Sequence, residues 1–211
     1  MLDHLLQTAG LDVPARAELV RLMGAPERHY HGIGHLGVLW SRHRRFSPGT
    51  QFATAEASRL VACAVAFHDA VYDPLRSDNE TRSAALWRQA VPAGLTADQV
   101  AWVAETIEAT ADHLAFSDAA TEAGQLRLWM LDLDLTPLGE RPSVFLRNSH
   151  ALRREFAALD DAQWHRQRTA FLGALQAAPQ IYRSPPLAAA FEQQARENIA
   201  QALRVSDDGR E

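Results

Sequence analysis

The sequence predicts a single all-α domain, on three observations. Apolar residues recur at intervals of three and four along most of the chain. No run alternates apolar and polar residues with a period of two, and candidate caps and prolines punctuate the helical stretches. At 211 residues, 47% hydrophobic and 22% charged, the chain can build one substantial core and is too apolar to be disordered. No repeat or linker divides it. Residues 1–205 are expected as one helical domain, with the polar stretch 206–211 as a frayed tail.

Pro14 opens a helix whose Leu19, Val20, Leu22 and Met23 form an apolar stripe ending near Gly24. A second helix is expected from His29 to Arg45, weakened by Gly32, Gly34 and Gly37 and stopped by Ser47-Pro48-Gly49. The third covers about Ala53 to Tyr72, where Asp73-Pro74 makes continuation unfavourable. Ser77-Asp78-Asn79-Glu80 and Thr96-Ala97-Asp98-Gln99 both fit capping boxes, the first leading to Trp87 and the second to Trp102, Val103 and Ile107. Ala120 to Leu131 is helical and leads into Asp132 and Asp134. Pro142 begins a charged helix, and Asp161 is a candidate cap for one carrying Phe171, Leu172 and Leu175. Ser184-Pro185-Pro186 introduces a last helix with Phe191, Ala195, Ile199 and Leu203 on one face. The five tryptophans fall on apolar stretches and read as core.

The chemistry concentrates at His68-Asp69, which ends the apolar run Leu60 to Phe67. A carboxylate on so apolar a segment is costly unless a cation answers it, and His with Asp is a ligand set that several divalent metals accept. His31 and His35 upstream, and Asp132 and Asp134 downstream, are the candidate partners. Two imidazoles and two carboxylates would leave coordination positions for water, whose pKa a metal lowers towards neutrality.

These residues resemble the H…HD…D pattern of the HD-domain superfamily, in particular its predicted metal-dependent phosphohydrolase subgroup. The similarity is carried by Arg28-His29-Tyr30-His31…His35-Leu36, Phe67-His68-Asp69-Ala70-Val71-Tyr72-Asp73-Pro74, Ser77-Asp78-Asn79-Glu80, Asp132-Leu133-Asp134-Leu135 and Arg153-Arg154-Glu155-Phe156. It implies an HD-type helical bundle and one divalent ion (Mn, Co, Mg, Fe, Ni or Zn) on His35, His68, Asp69 and Asp134. It also implies hydrolysis of a small phosphate ester, such as a nucleotide, through a metal-bound hydroxide. Asp134 is preferred to Asp132 as the ligand, and Asp132 caps, orients water or is solvated. Because His113 alone lies between the His-Asp pair and the late aspartates, one metal is expected rather than two.

Other roles are open. Arg28 and His31 are candidates for the substrate phosphate, with a solvated helix start as the plainer reading of each. Glu80 either transfers protons or closes the capping box, and Asp73 either orients water or starts the turn. His113 is a candidate general acid or a surface histidine, and Asp69 belongs to both the metal and the catalytic set. Arg153 and Arg154 fit a solvated face better than a phosphate.

Composition narrows the alternatives. A net charge of −5 argues against coating a nucleic-acid polymer, and no segment is long and apolar enough for a membrane span. The lone Cys63 permits no internal disulfide and reads as a buried thiol, which together with the absence of a signal-peptide pattern suggests the cytoplasm. A homodimer is possible. Two rivals to a phosphohydrolase stand: a non-catalytic metal- or nucleotide-binding regulatory module of the same fold, and a different metal reaction such as hydration or oxygen-dependent cleavage.

Overall fold

A computed structural model describes residues 1–208, without the side chains of 205–208. Among the described residues the chain is all-α, with no strand. Its helices are α1 (Leu2–Ala9), α2 (Val13–Met23), α3 (Ile33–Phe46), α4 (Ala55–Phe67), α5 (Asn79–Gln89), α6 (Ala97–Ala109), α7 (Glu122–Leu135), α8 (Pro142–Glu155), α9 (Asp161–Ala177) and α10 (Pro185–Asp208). Short 3₁₀ turns occupy Gln51–Ala53, Thr110–Asp112 and Thr136–Gly139.

Helix α4 is the centre. From Leu60 onward it is apolar around its whole circumference, as a helix surrounded by others must be. Leu60 to Phe67 are all buried, and α1, α3, α5, α6 and α7 pack around them. α5 and α6 form an antiparallel pair in which Trp87, fully buried, donates its indole N–H to the Val100 carbonyl at 3.0 Å. Against the far end, α10 lies on α9 and on the turn Thr136–Gly139. A side chain at Gly139 would come within 2.7 Å of the Phe191 backbone, so only glycine permits that approach.

Several boundaries differ from the sequence reading. α1 was not anticipated; Leu5, Leu6 and Ala9 bury against α4, and Gly10 closes the helix in the left-handed region at φ 77°. Asp12 caps α2, with Pro14 in its first turn. The helix expected from His29 begins only at Ile33, leaving Arg28 to Gly32 as a loop. α4 ends at Phe67 rather than Tyr72, so His68 is its C-cap and Asp69 lies in the following turn. Ser77 does not cap α5: Asp78 is the N-cap residue and makes no side-chain cap bond. The Asn79 side chain instead ties down the preceding loop, accepting from Asp73 N and donating to Asp73 O. The Thr96–Gln99 capping box is present, whereas α9 is capped by Asp160 with Gln163, one residue before the expected Asp161. α10 continues through 206–208 of the expected tail, and 209–211 lie outside the described residues.

One buried histidine makes stability depend on pH. His43, 1% exposed, stacks on Trp40 and accepts a 3.0 Å bond from the Trp129 indole at Nδ1. Its Nε2 therefore carries the proton and faces Ser58 Oγ at 3.1 Å. Burial lowers its pKa to about 4, so the fold selects the neutral ring. That stabilisation is complete above an unfolded pKa of about 6.5 and is lost as the pH falls towards 4, by about 3 kcal/mol at most. Urea unfolding should show the decline between those limits, and His43→Gln should flatten it. An unchanged slope in the variant would assign the decline to other groups.

Candidate functional site

Three segments bring four ligating side chains together. The first turn of α3 supplies His35, the end of α4 supplies His68 and Asp69, and the last turn of α7 supplies Asp134. His35 Nε2 lies 2.9 Å from Asp134 Oδ1 and 3.3 Å from His68 Nε2. His68 Nε2 is 3.0 Å from Asp69 Oδ2 and 3.4 Å from Asp134 Oδ1, and His35 Nε2 is 3.8 Å from Asp69 Oδ2. Donor atoms on neighbouring corners around an ion with bonds of about 2.1 Å stand roughly 3 to 3.5 Å apart, so the cluster could hold one. His35, His68 and Asp134 fit this most closely, with Asp69 at the edge.

The local fold sets this geometry. The last carbonyls of a helix have no N–H partner within it. At the end of α4 the Val65 carbonyl accepts from His68 Nδ1 at 3.0 Å, which fixes the proton there and turns the Nε2 lone pair into the cluster. The carbonyls of Asp69 and Ala70 accept from Arg28 Nη1 and Nη2 at 2.5 and 2.9 Å, and Nη1 also reaches His31 O at 3.0 Å. Arg28 therefore braces the turn that presents Asp69. Its Nη1 and Nη2 face backbone oxygens, and Arg28 is not among the residues that line the cavity beside the cluster, which sets it apart from its expected place at a substrate phosphate.

Electrostatics favour a cation here. Burial alone would hold His68 neutral, but the carboxylates of Asp69 and Asp134 outweigh it and lift its pKa well above the usual range. Burial would likewise raise Asp134, yet His68, His113 and His35 hold it well below the ordinary carboxylate value. Asp69 behaves the same way, lowered by His68 and His31 against its burial. Two buried carboxylates thus draw positive charge onto an imidazole, the role a divalent ion would take over. His35 Nδ1 is buried without a hydrogen-bond partner, so that ring is oriented through Nε2 and its packing against Tyr30.

His35 and Asp134 of the cluster line a cavity of about 380 Å³, together with His31, Glu80 and His113 among others, while His68 and Asp69 lie behind them, outside its lining. His113 sits 2.8 Å from Asp134 Oδ2 through Nε2 and is largely buried, not a free surface histidine. His31 lies in the loop before α3 rather than on its face. Its Nδ1 is 2.7 Å from Glu155 Oε2, while Glu155 Oε1 accepts from the backbone N–H groups of Tyr30 and His31. Burial would lower the His31 pKa, but Asp69 and Glu155 raise it instead, and Glu155 is lowered in turn against its own burial.

The remaining candidates separate. Glu80, in the first turn of α5, is at the cavity wall and free of the expected capping box. Asp73 accepts from Leu75 N at 3.0 Å and initiates its turn, outside the cavity lining. Asp132 faces away from the cluster, fully buried against Arg183 and Ser184. Arg153 closes the end of α8 by donating to Phe156 O and Leu159 O, and Arg154 is exposed.

Sequence reasoning gave no role to Glu155 or Arg168, both at the site. Glu155 stood inside the resembling stretch, overshadowed by its neighbouring arginines. Arg168 carried no motif at all. The chain matches no known family model, and no curated protein matches it.

Proposed function

We propose that the protein is a metal-dependent phosphohydrolase acting on a small phosphate ester, with an HD-type ligand set of His35, His68, Asp69 and Asp134. The observation that carries this reading is the convergence, from three segments, of four side chains able to hold a metal, two of which, His35 and Asp134, line one cavity. A divalent ion held there would neutralise charge on a phosphoryl oxygen and acidify water.

The protein's own groups supply the rest. Arg28 fixes the turn that carries Asp69, and the Val65 carbonyl fixes the tautomer of His68. His113 spans Asp134 and the cavity, where its imidazole can pass a proton to a leaving oxygen. Glu155 holds His31 in one orientation, with the other ring nitrogen left for a ligand. Leu138, Phe145, Leu152 and Phe156 give the cavity apolar walls. A cytoplasmic setting belongs to the same reading, supported by a single buried cysteine.

Exhaustive chelation should abolish phosphate release from p-nitrophenyl phosphate and nucleoside monophosphates, and manganese, cobalt or magnesium should restore it to different extents. Release that survives chelation would end this reading. Stoichiometric metal without release from nucleotides, sugar phosphates or aryl phosphates would make the chain a binding module.

A further inference from the structure

Among the arginines that line the cavity, Arg76 is answered by a bidentate pair with Asp78, whereas Arg168 has no carboxylate partner among the described residues. Its guanidinium donates through Nη2 to Ser149 Oγ at 2.6 Å and lies over the rings of Phe145 and Trp164, at 5.7 and 5.6 Å. Those contacts hold the group in a partly buried position but leave most of its five donors uncommitted. A desolvated guanidinium with a free fork suits a phosphate far better than it suits water.

Its surroundings point the same way. Tyr30, whose ring is 5.2 Å from that of His35, lines the same cavity as Arg168, so the arginine and the cluster residues His35 and Asp134 face one space. Residues 141–177 carry six arginines against three acidic residues, although the whole chain has a net charge of −5. The cavity is at the small end of ligand sites, which run from roughly 300 to 1,000 Å³. The helices that carry Ser149 and Arg168 also give the cavity Phe145, Leu152, Trp164 and Phe171 against Asn148 and Gln167, a mostly apolar lining in which Phe171 remains 45% exposed. Glu80 also lines the cavity, from α5, without a cationic partner among the described residues, which disfavours a second anionic group on the ligand.

We infer that Arg168 is the anion-recognising residue of this cavity, and that its ligand is a small phosphate ester with an uncharged, largely apolar body. The phosphate takes the guanidinium fork, and the organic part lies against Leu152, Phe156 and Phe171. The choice of phosphate rests on the phosphohydrolase reading; the assignment to Arg168 rests on the unanswered charge.

Phenylphosphonate, which has no ester bond to hydrolyse, separates the two. Calorimetry on the metal-loaded full chain should show it binding, with affinity about tenfold or more weaker in Arg168→Gln. Arg168→Lys should fall between them, since an ammonium cannot fork. Ser149→Ala removes the bond that positions the guanidinium and should weaken binding by less than Arg168→Gln does, because the fork itself remains. Equal affinity in Arg168→Gln would overturn the inference, as would a Ser149→Ala loss as large as that of Arg168→Gln, because Arg168 would then act as a strap. Should Arg168→Gln not fold, Arg168→Lys binding no more weakly than Ser149→Ala would overturn it too. 4-Carboxyphenylphosphonate should bind more weakly than phenylphosphonate, and tighter binding would overturn the uncharged body. Parallel assays of release from phenyl phosphate test hydrolysis alone: Arg168-dependent binding without release leaves this inference standing and removes the phosphohydrolase.

Discussion

Asp134→Asn is expected to abolish stoichiometric metal binding and phosphate release while leaving the fold intact. Asp134 is the one carboxylate of the cluster that touches three imidazoles, at 2.9 Å from His35, 3.4 Å from His68 and 2.8 Å from His113. An amide removes the negative charge, is a poor metal ligand, and turns one oxygen position into a donor facing rings that also present N–H. Losing a ligand from a preformed site should weaken divalent affinity by at least about a hundredfold. The fold should not suffer equally, because the side chain sits at the end of α7 among the imidazoles of the cluster rather than in the apolar core, and asparagine keeps its shape. Elemental analysis after gel filtration, beside a thermal melt, reads both effects. Full metal occupancy in a folded Asp134→Asn would remove this residue from the ligand set and most of the support for a metal centre with it.

The parts of this site that were legible in the sequence are those set by local rules. Leu60 to Phe67 announces a buried helix because no face of it is polar, and that helix is α4. Thr96 with Gln99, and Pro142, mark helix starts through bonds and dihedrals that span only a few residues. The end of α4 was not legible, because side chains hold the turn after it: His68 Nδ1 takes the Val65 carbonyl, and Arg28, more than forty residues away, takes those of Asp69 and Ala70. Placing His31 on a helix failed for a similar reason. Glu155 accepts the two backbone N–H groups of Tyr30 and His31, a long-range bond that stabilises the loop against continuation of α3. Arg168 was invisible because its importance lies in a missing partner, and only packing reveals which charges go unanswered.

The paired aspartates were half legible. Positions two apart on a helix point about 200° apart, so Asp132 and Asp134 cannot share one partner. Which of them faces the histidines depends on how α7 is rotated, and the apolar residues on both sides of it leave that open. In the structure Asp132 faces the 181–184 segment. Its Oδ2 accepts from Arg183 N at 2.8 Å and Ser184 N at 2.6 Å, and Arg183 donates through Nη1 to Phe116 O.

Asp132→Ala should therefore be the most destabilising single change among the acidic residues, and it should spare the metal. The carboxylate is fully buried, with the Arg183 guanidinium 3.5 Å away. Truncation strips two backbone N–H groups of their acceptor, leaves Arg183 without its counter-charge, and opens a polar void at the start of α10. Removing one partner of such a buried network costs about 3 to 5 kcal/mol. For a chain of this size that lowers the melting temperature by roughly 10 °C. Asp132→Asn should recover most of the loss, because both backbone bonds converge on one oxygen that the amide can keep. Purified at low temperature, both variants should still hold the ion, the opposite of Asp134→Asn. An Asp132→Asn protein that melts normally but lacks metal would move the ligand to Asp132, and α7 would then have to turn by about half a revolution to present it to His35.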